Sequence, residues 1–143
     1  MKRLLQLGLM AVLLSSCSIN VLNNMNASVG TTFEVLKQEV YGGWDDESNL
    51  IISKQSELDK LYKELNQGDA PKINFETNKV VALFMGQKRT GGYSISVRKI
   101  TVNGNTTTVS VKRSTPEGNM VTMALTAPYC IAIIPNTEKV VVE

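Results

Sequence analysis

Six consecutive residues, Lys88, Arg89, Thr90, Gly91, Gly92 and Tyr93, bring together a set of side chains suited to contact. A guanidinium fork is a planar donor for carboxylates. A tyrosine offers rigid apolar area with a polar tip, the kind of side chain enriched where proteins meet. Two adjacent glycines permit backbone angles denied to other residues, or the close approach of another backbone. Chemistry of turnover is harder to place. The chain has no histidine, which excludes Ser-His-Asp and Cys-His nucleophiles and His-based zinc sites. Its 13 acidic residues show no spacing that singles out a catalytic carboxylate pair. Asp45, Asp46 and Glu47 run together without the alternating ligands and glycine of a calcium loop. No glycine-rich phosphate loop leads into a helix, and no local motif accompanies a Ser-Lys pair. The residues therefore point to binding, with no catalytic set, metal or cofactor.

Charge supports that direction. The 15 basic residues include Lys2 and Arg3, which belong to an export signal described below. Without them 15 − 2 = 13 bases face 13 acids, so the working chain is neutral. A nucleic-acid partner would call for a basic excess. The charges are nevertheless separated. Residues 77–116 contain no acid, whereas acids outnumber bases ten to five over residues 33–76. Such a split makes a dipolar surface. Neighbours on a strand face opposite ways, so the basic residues cannot all share one patch.

The elements that must carry these residues are mostly strands. Apolar and alternating runs predict strands at residues 33–40, 80–85, 93–98, 107–113, 121–125, 129–134 and 139–142. The unbroken run from Val80 to Met85 suits a strand covered on both faces. Residues 41–48 read as a loop. One helix is predicted over residues 57–66, with Ser56 as N-cap, Asp59 near a capping box and Gly68 as the stop. Leu58, Leu61, Tyr62 and Leu65 give it one apolar stripe. Asn103-Gly104 marks a hairpin. A two-residue Asn-Gly loop would pair Val97 with Ser110. A three-residue loop pairs Val97 with Val111 and Ile95 with Arg113, and keeps the faces consistent. The sum is an all-β to β-rich α+β fold: β-sandwich-like antiparallel sheets with one short helix packed on them. Cys130 lies in an apolar run and reads as a buried thiol.

The first residues are a separate matter. Lys2 and Arg3 precede an apolar stretch, residues 4–14, too short to span a bilayer and typical of an export signal. It ends in Leu14-Ser15-Ser16-Cys17, which resembles the bacterial lipobox. That resemblance implies cleavage before Cys17, lipidation of its thiol and firm anchoring by several acyl chains. Ser18, rather than Asp, favours the outer membrane in enteric-type sorting. The organisation expected is a lipoprotein signal peptide at residues 1–16, a flexible tether at 17–31 and a β-rich domain at 32–143.

A family likeness centres on the residues described first. The stretch Val80-Val81-Ala82-Leu83-Phe84-Met85-Gly86, followed by Thr90-Gly91-Gly92-Tyr93 and an alternating strand, resembles the C-terminal domain of the protease-complex subunit (PrcB) family. Ile73-Asn74-Phe75 resembles the family's approach to that strand, with Asn where Asp is commoner. The helix lacks the family's usual Trp. Ala127-Pro128-Tyr129 fits downstream, with Cys130 where members often carry His. The resemblance implies a lipoprotein that supports a surface or periplasmic protease and has no catalytic residues of its own. The Gly-Gly-Tyr turn is also similar to the Thr-Gly-Tyr loop of chagasin-type cysteine-protease inhibitors. Three functions follow as expectations: an accessory subunit in the envelope, an inhibitor acting through Arg89 to Tyr93, or an envelope module for small molecules or glycans.

Overall fold

The computed structural model describes residues 29–143. The signal, Cys17 and the expected tether as far as residue 28 lie outside the described residues, whereas residues 29–31, expected as the end of that tether, form a strand paired to residues 100–102. Eight strands and one helix follow in the order β1 (Val29–Thr31), β2 (Glu34–Glu39), β3 (Glu47–Ile52), α1 (Gln55–Glu64), β4 (Asn78–Met85), β5 (Ser94–Asn103), β6 (Thr106–Ser114), β7 (Tyr129–Pro135) and β8 (Lys139–Val142). The strands form two four-stranded sheets, a front sheet ordered β1-β5-β6-β8 and a back sheet ordered β2-β7-β4-β3. All pairings are antiparallel except β6 with β8, which is parallel. The sandwich-with-helix expectation is met.

Two apolar cores explain why β4 is apolar over its whole central run. Val80, Ala82 and Phe84 face α1 and join Leu58, Leu61, Tyr62 and Leu65. Val81, Leu83 and Met85 face the front sheet and join Ile95, Val97, Ile100 and Val109. β7 divides in the same way, with Tyr129 and Ile131 toward the helix and Cys130, Ala132 and Ile134 toward the front sheet. The molecule is thus three layers deep, helix on back sheet on front sheet. Both central strands of the back sheet are buried on both faces, as continuous apolar runs require.

The helix forms as its stripe predicts, but its ends differ. It begins at Gln55, two residues earlier than expected, with Lys54 at the N-cap position and no side-chain cap. Ser56 is inside the first turn. Glu57 instead reaches back to accept the Ser53 N–H at 3.0 Å. At the other end the stop is Asn66, not Gly68. Asn66 adopts φ +53°. The Gln67 N–H donates to the Tyr62 carbonyl at 2.9 Å and the Asn66 N–H to the Lys63 carbonyl at 3.1 Å. This is the Schellman pattern, with asparagine tolerating the left-handed conformation.

Three further expectations are corrected. Residues 41–48 are not all loop, because Glu47 and Ser48 open β3, whose polar first half hides its strand character. The hairpin is tighter than expected. Asn103 pairs with Thr106 around Gly104 and Asn105, and Gly104 has φ +57°. Val97 still pairs with Val111 and Ile95 with Arg113, because a bulge at Arg98 shifts the register by one. The faces are those expected, and a bulge accounts for them, not an odd loop. Finally, residues 121–125 are no strand; they lie in the long connection from β6 to β7. Their alternation has no neighbouring strand to pair with beyond one isolated bridge next to them, Lys88 with Thr126.

Candidate functional site

Three connections meet at one pole of the sandwich: residues 40–46 between β2 and β3, residues 86–93 between β4 and β5, and residues 115–128 between β6 and β7. They are stitched by backbone hydrogen bonds. The Lys88 N–H donates to the Thr126 carbonyl at 2.7 Å and the Thr126 N–H returns to the Lys88 carbonyl at 2.9 Å. Ala127 N–H reaches the Val40 carbonyl at 3.0 Å, and Gln87 N–H reaches the Asp45 carbonyl at 2.8 Å. The buried Thr126 hydroxyl donates to the Thr90 carbonyl at 2.9 Å. Arg113 adds a side-chain clasp across the two sheets, with Nη2 at 3.0 Å and Nε at 3.2 Å from Glu47 Oε1.

The six residues first singled out fall into two groups. Gly91, Gly92, Tyr93 and Thr90 build the turn. Gly91 N–H donates to the Thr122 carbonyl at 2.8 Å. Gly92 has φ +89°, and a Cβ there would sit 2.6 Å from Pro116 Cβ, far inside contact distance. Tyr93 is half-buried and packs on the core between the sheets. Lys88 and Arg89 keep their charges available. Lys88 Nζ lies 5.7 Å from the Tyr93 ring centroid, a cation–π distance. Arg89 is exposed. Neither forms an ion pair among the described residues.

What the motif did not announce is the apolar surface around it. Met120 is 96 % exposed, Met123 84 %, Leu125 63 % and Tyr41 57 %. With Val40 they make up five of the seven exposed large apolar residues among the described residues, and all five lie at this pole. Large apolar side chains gathered on one surface mark contact sites in soluble domains, and flexible methionines suit surfaces that adapt to a partner. An open cleft of about 330 Å³ runs between Gly91, Gly92, Pro116, Met120 and Thr122. The signals available in the sequence were the methionines and the length of the β6–β7 connection, unusual for a compact domain. Alternation within residues 121–125 pointed to a strand instead.

The opposite pole is where the described chain begins. Val29 pairs with Val102, next to the Gly104 turn, whereas β5 starts at the loop pole with Ser94. Val29 and the three loops therefore lie at opposite ends of the sandwich.

Elsewhere the titratable groups offer little chemistry. Burial raises the Cys130 thiol above its ordinary range, with the Val97 backbone pulling weakly the other way. Tyr129 is pushed up to about 12 by burial, then by Glu39 and Tyr62. Among the described residues no group of three or more acidic or thiol side chains gathers to hold a metal ion, and no helix is long and apolar enough to cross a membrane.

No curated protein and no solved structure matches the chain. Residues 79–135, which run from the second residue of β4 to the last of β7 and take in two of the three pole loops, match the family model described as PrcB C-terminal, the family that the Gly-Gly-Tyr motif resembles.

Proposed function

We propose that this protein is a membrane-anchored, non-enzymatic accessory lipoprotein that binds and stabilises or modulates an envelope protease or another envelope protein. The observation that carries this reading is the concentration of exposed Met120, Met123, Leu125 and Tyr41 on one pole, opposite the point where the described chain begins. The family match adds a protease partner as the leading candidate. Anchoring through Cys17 in the outer membrane would hold the opposite pole toward the lipid and leave the loop pole facing outward. Lys88 and Arg89 beside the apolar patch favour a partner with carboxylates at the rim of its own apolar surface.

Two measurements test this. Deleting the gene should lower the level of an envelope protease, and restoring the wild-type chain, but not a Met123→Asp chain, should recover it. Unchanged protease levels on deletion count against the reading. Direct inhibition of purified cysteine or serine proteases by the chain would move the function to the inhibitor alternative. Mass spectrometry of the mature N-terminus decides the anchor, since a mature form with unmodified Cys17 removes it.

A further inference from the structure

The two sheets have four edges, and three are blunted. β1 has three residues and β8 four. β2 is bent by a bulge at Leu36, where its register against β7 shifts. β3 is different. Its six residues pair with β4 in unbroken register, and Glu-Ser-Asn-Leu-Ile-Ile contains no proline and no lysine. Short strands, bulges, prolines and lysines are the usual protections of an edge. β3 has none of these, and its one charge, Glu47 at the first position, is taken up by Arg113.

The direction of its backbone groups follows from its neighbours. Met85 N–H donates to the Pro128 carbonyl, and the Thr77 carbonyl accepts from Asn136 N–H, both on the β7 side. Alternation then turns the odd-numbered residues of β4 toward β7 and the even-numbered ones toward β3. Val80, Ala82 and Phe84 are paired with Ile52, Leu50 and Ser48. Glu47, Asn49 and Ile51 are left to present their N–H and C=O groups along the open edge. Ile51 is 36 % exposed there.

Beside this edge, between β3 and α1, lies a groove of about 350 Å³ whose walls include Trp44, Leu50 and Leu61. Trp44 is held rigid by stacking on Phe84, with ring centroids 4.3 Å apart and planes 6° apart. Glu57, Lys60 and Glu64 also line the groove, and Lys60 is paired to Glu64. Asp45 and Asp46 precede the strand. Asp45, Asp46 and Glu57 have no ion-pair partner among the described residues. Lys54, just past the strand, is exposed and likewise without an ion pair among the described residues. Three acids against one base still leave the surroundings of the edge acidic.

We propose that the free edge of β3 captures an extended segment of another polypeptide, adding it as a fifth strand of the back sheet. Backbone ladder bonds supply the affinity, and an apolar side chain seated against Trp44 and Leu61 supplies selectivity. Basic residues at the ends of the segment complement Asp45, Asp46 and Glu57. The site borders the loop pole through Trp44, Asp45 and Asp46 but uses none of Met120, Met123 and Leu125, so either surface can fail alone.

The test titrates the full chain, held in detergent, with a library of seven-residue peptides alternating apolar and polar side chains between terminal lysines. Amide exchange read by NMR should slow about tenfold or more at Glu47, Asn49 and Ile51 on binding. Glutamate-ended versions should bind more weakly. Asn49→Pro removes an N–H that points away from β4, so the sheet is retained while peptide binding falls about tenfold or more. Ile51→Lys, a charged edge residue, should weaken binding in the same direction. If no peptide slows exchange at these three amides, or if both variants bind like the wild type, the proposal is wrong. Protection that grows with protein concentration in the absence of peptide would assign the edge to a second copy of the chain and overturn it equally.

Discussion

Two of the three loops at the pole are built on opposite terms. Residues 86–93 are short and locked: three glycines, a half-buried tyrosine and a carbonyl bonded to Thr126 leave Gln87 and Arg89 as the exposed side chains. Residues 115–128 are longer and leave Met120, Met123 and Leu125 in solvent. Both lie inside the segment matched by the family model. The contrast separates two jobs. Residues with a recognisable pattern hold the pole in shape, whereas residues without one leave apolar area in solvent.

The largest expected effect tests the locking. Gly92→Ala places a Cβ 2.6 Å from Pro116 at a φ of +89°. Left-handed strain and overpacking together should cost about 2–4 kcal/mol. Gly118, in the second loop, also has positive φ, at +83°, but a Cβ added there would meet no atom within 4 Å. Gly118→Ala should therefore cost only about 1 kcal/mol. Urea unfolding of both variants measures the difference. Equal costs would break the contrast between a locked loop and an open one.

Next in size is the bond that ties the loops together. Thr126 is 2 % exposed and its hydroxyl donates to the Thr90 carbonyl. Thr126→Val keeps the shape and leaves that carbonyl short of a donor, at a cost of about 1–2 kcal/mol. A cost near zero in the same unfolding assay would mean that the two backbone bonds between Lys88 and Thr126 carry the junction alone.

The same division decides what can be read from the chain. β4 and β7 are legible because burial on both faces makes their central runs apolar throughout. The helix is legible because Leu58, Leu61, Tyr62 and Leu65 repeat at its period. Its ends are not, since Lys54 and Asn66 have no strong capping signature. β3 escapes a sequence reading because an edge strand needs apolar residues on one side only, and Glu47, Ser48 and Asn49 look like a turn. The Arg98 bulge has no local signal, although its effect on the faces is predictable from Val97 and Val111. In the candidate site, the turn-forming glycines are visible as a motif. The methionine surface is not, since the alternation in residues 121–125 mimics a strand and only the absence of a pairing partner shows otherwise.

Beneath the point where the second loop rejoins the sheet lies Tyr129, fully buried with a hydroxyl that has no hydrogen-bond partner among the described residues. An unmet buried hydroxyl is a cost, so Tyr129→Phe should stabilise the fold by about 1 kcal/mol. It should also change the alkaline response. The folded-state value of about 12 lies above the ordinary 10.0. The folded chain therefore holds its proton longer than the unfolded one, and stability present below pH 10 is lost as pH rises toward 12. The wild type should lose stability across that window, and the phenylalanine variant should lose less. Parallel losses would assign the alkaline sensitivity to other groups.

The smallest effect on stability should accompany the largest effect on contact. Met120 and Met123 are almost wholly in solvent, so Met120→Ser with Met123→Ser removes little packing. Folding should shift by no more than about 0.5 kcal/mol. If these side chains are the apolar centre of an interface, truncating them removes about 1 kcal/mol or more of binding each, so together a tenfold or greater loss. Gly118→Ala serves as the control in the same loop, since it alters backbone freedom and leaves both methionines in place. Co-purification of the envelope partner from cross-linked membranes reads out the contact, and urea unfolding reads out the fold. Loss of contact with the fold unchanged keeps the two loops in their separate roles. Retained contact in the double variant would move the interface to Arg89 and the turn, and the loop that looks built only to hold shape would be the one that binds.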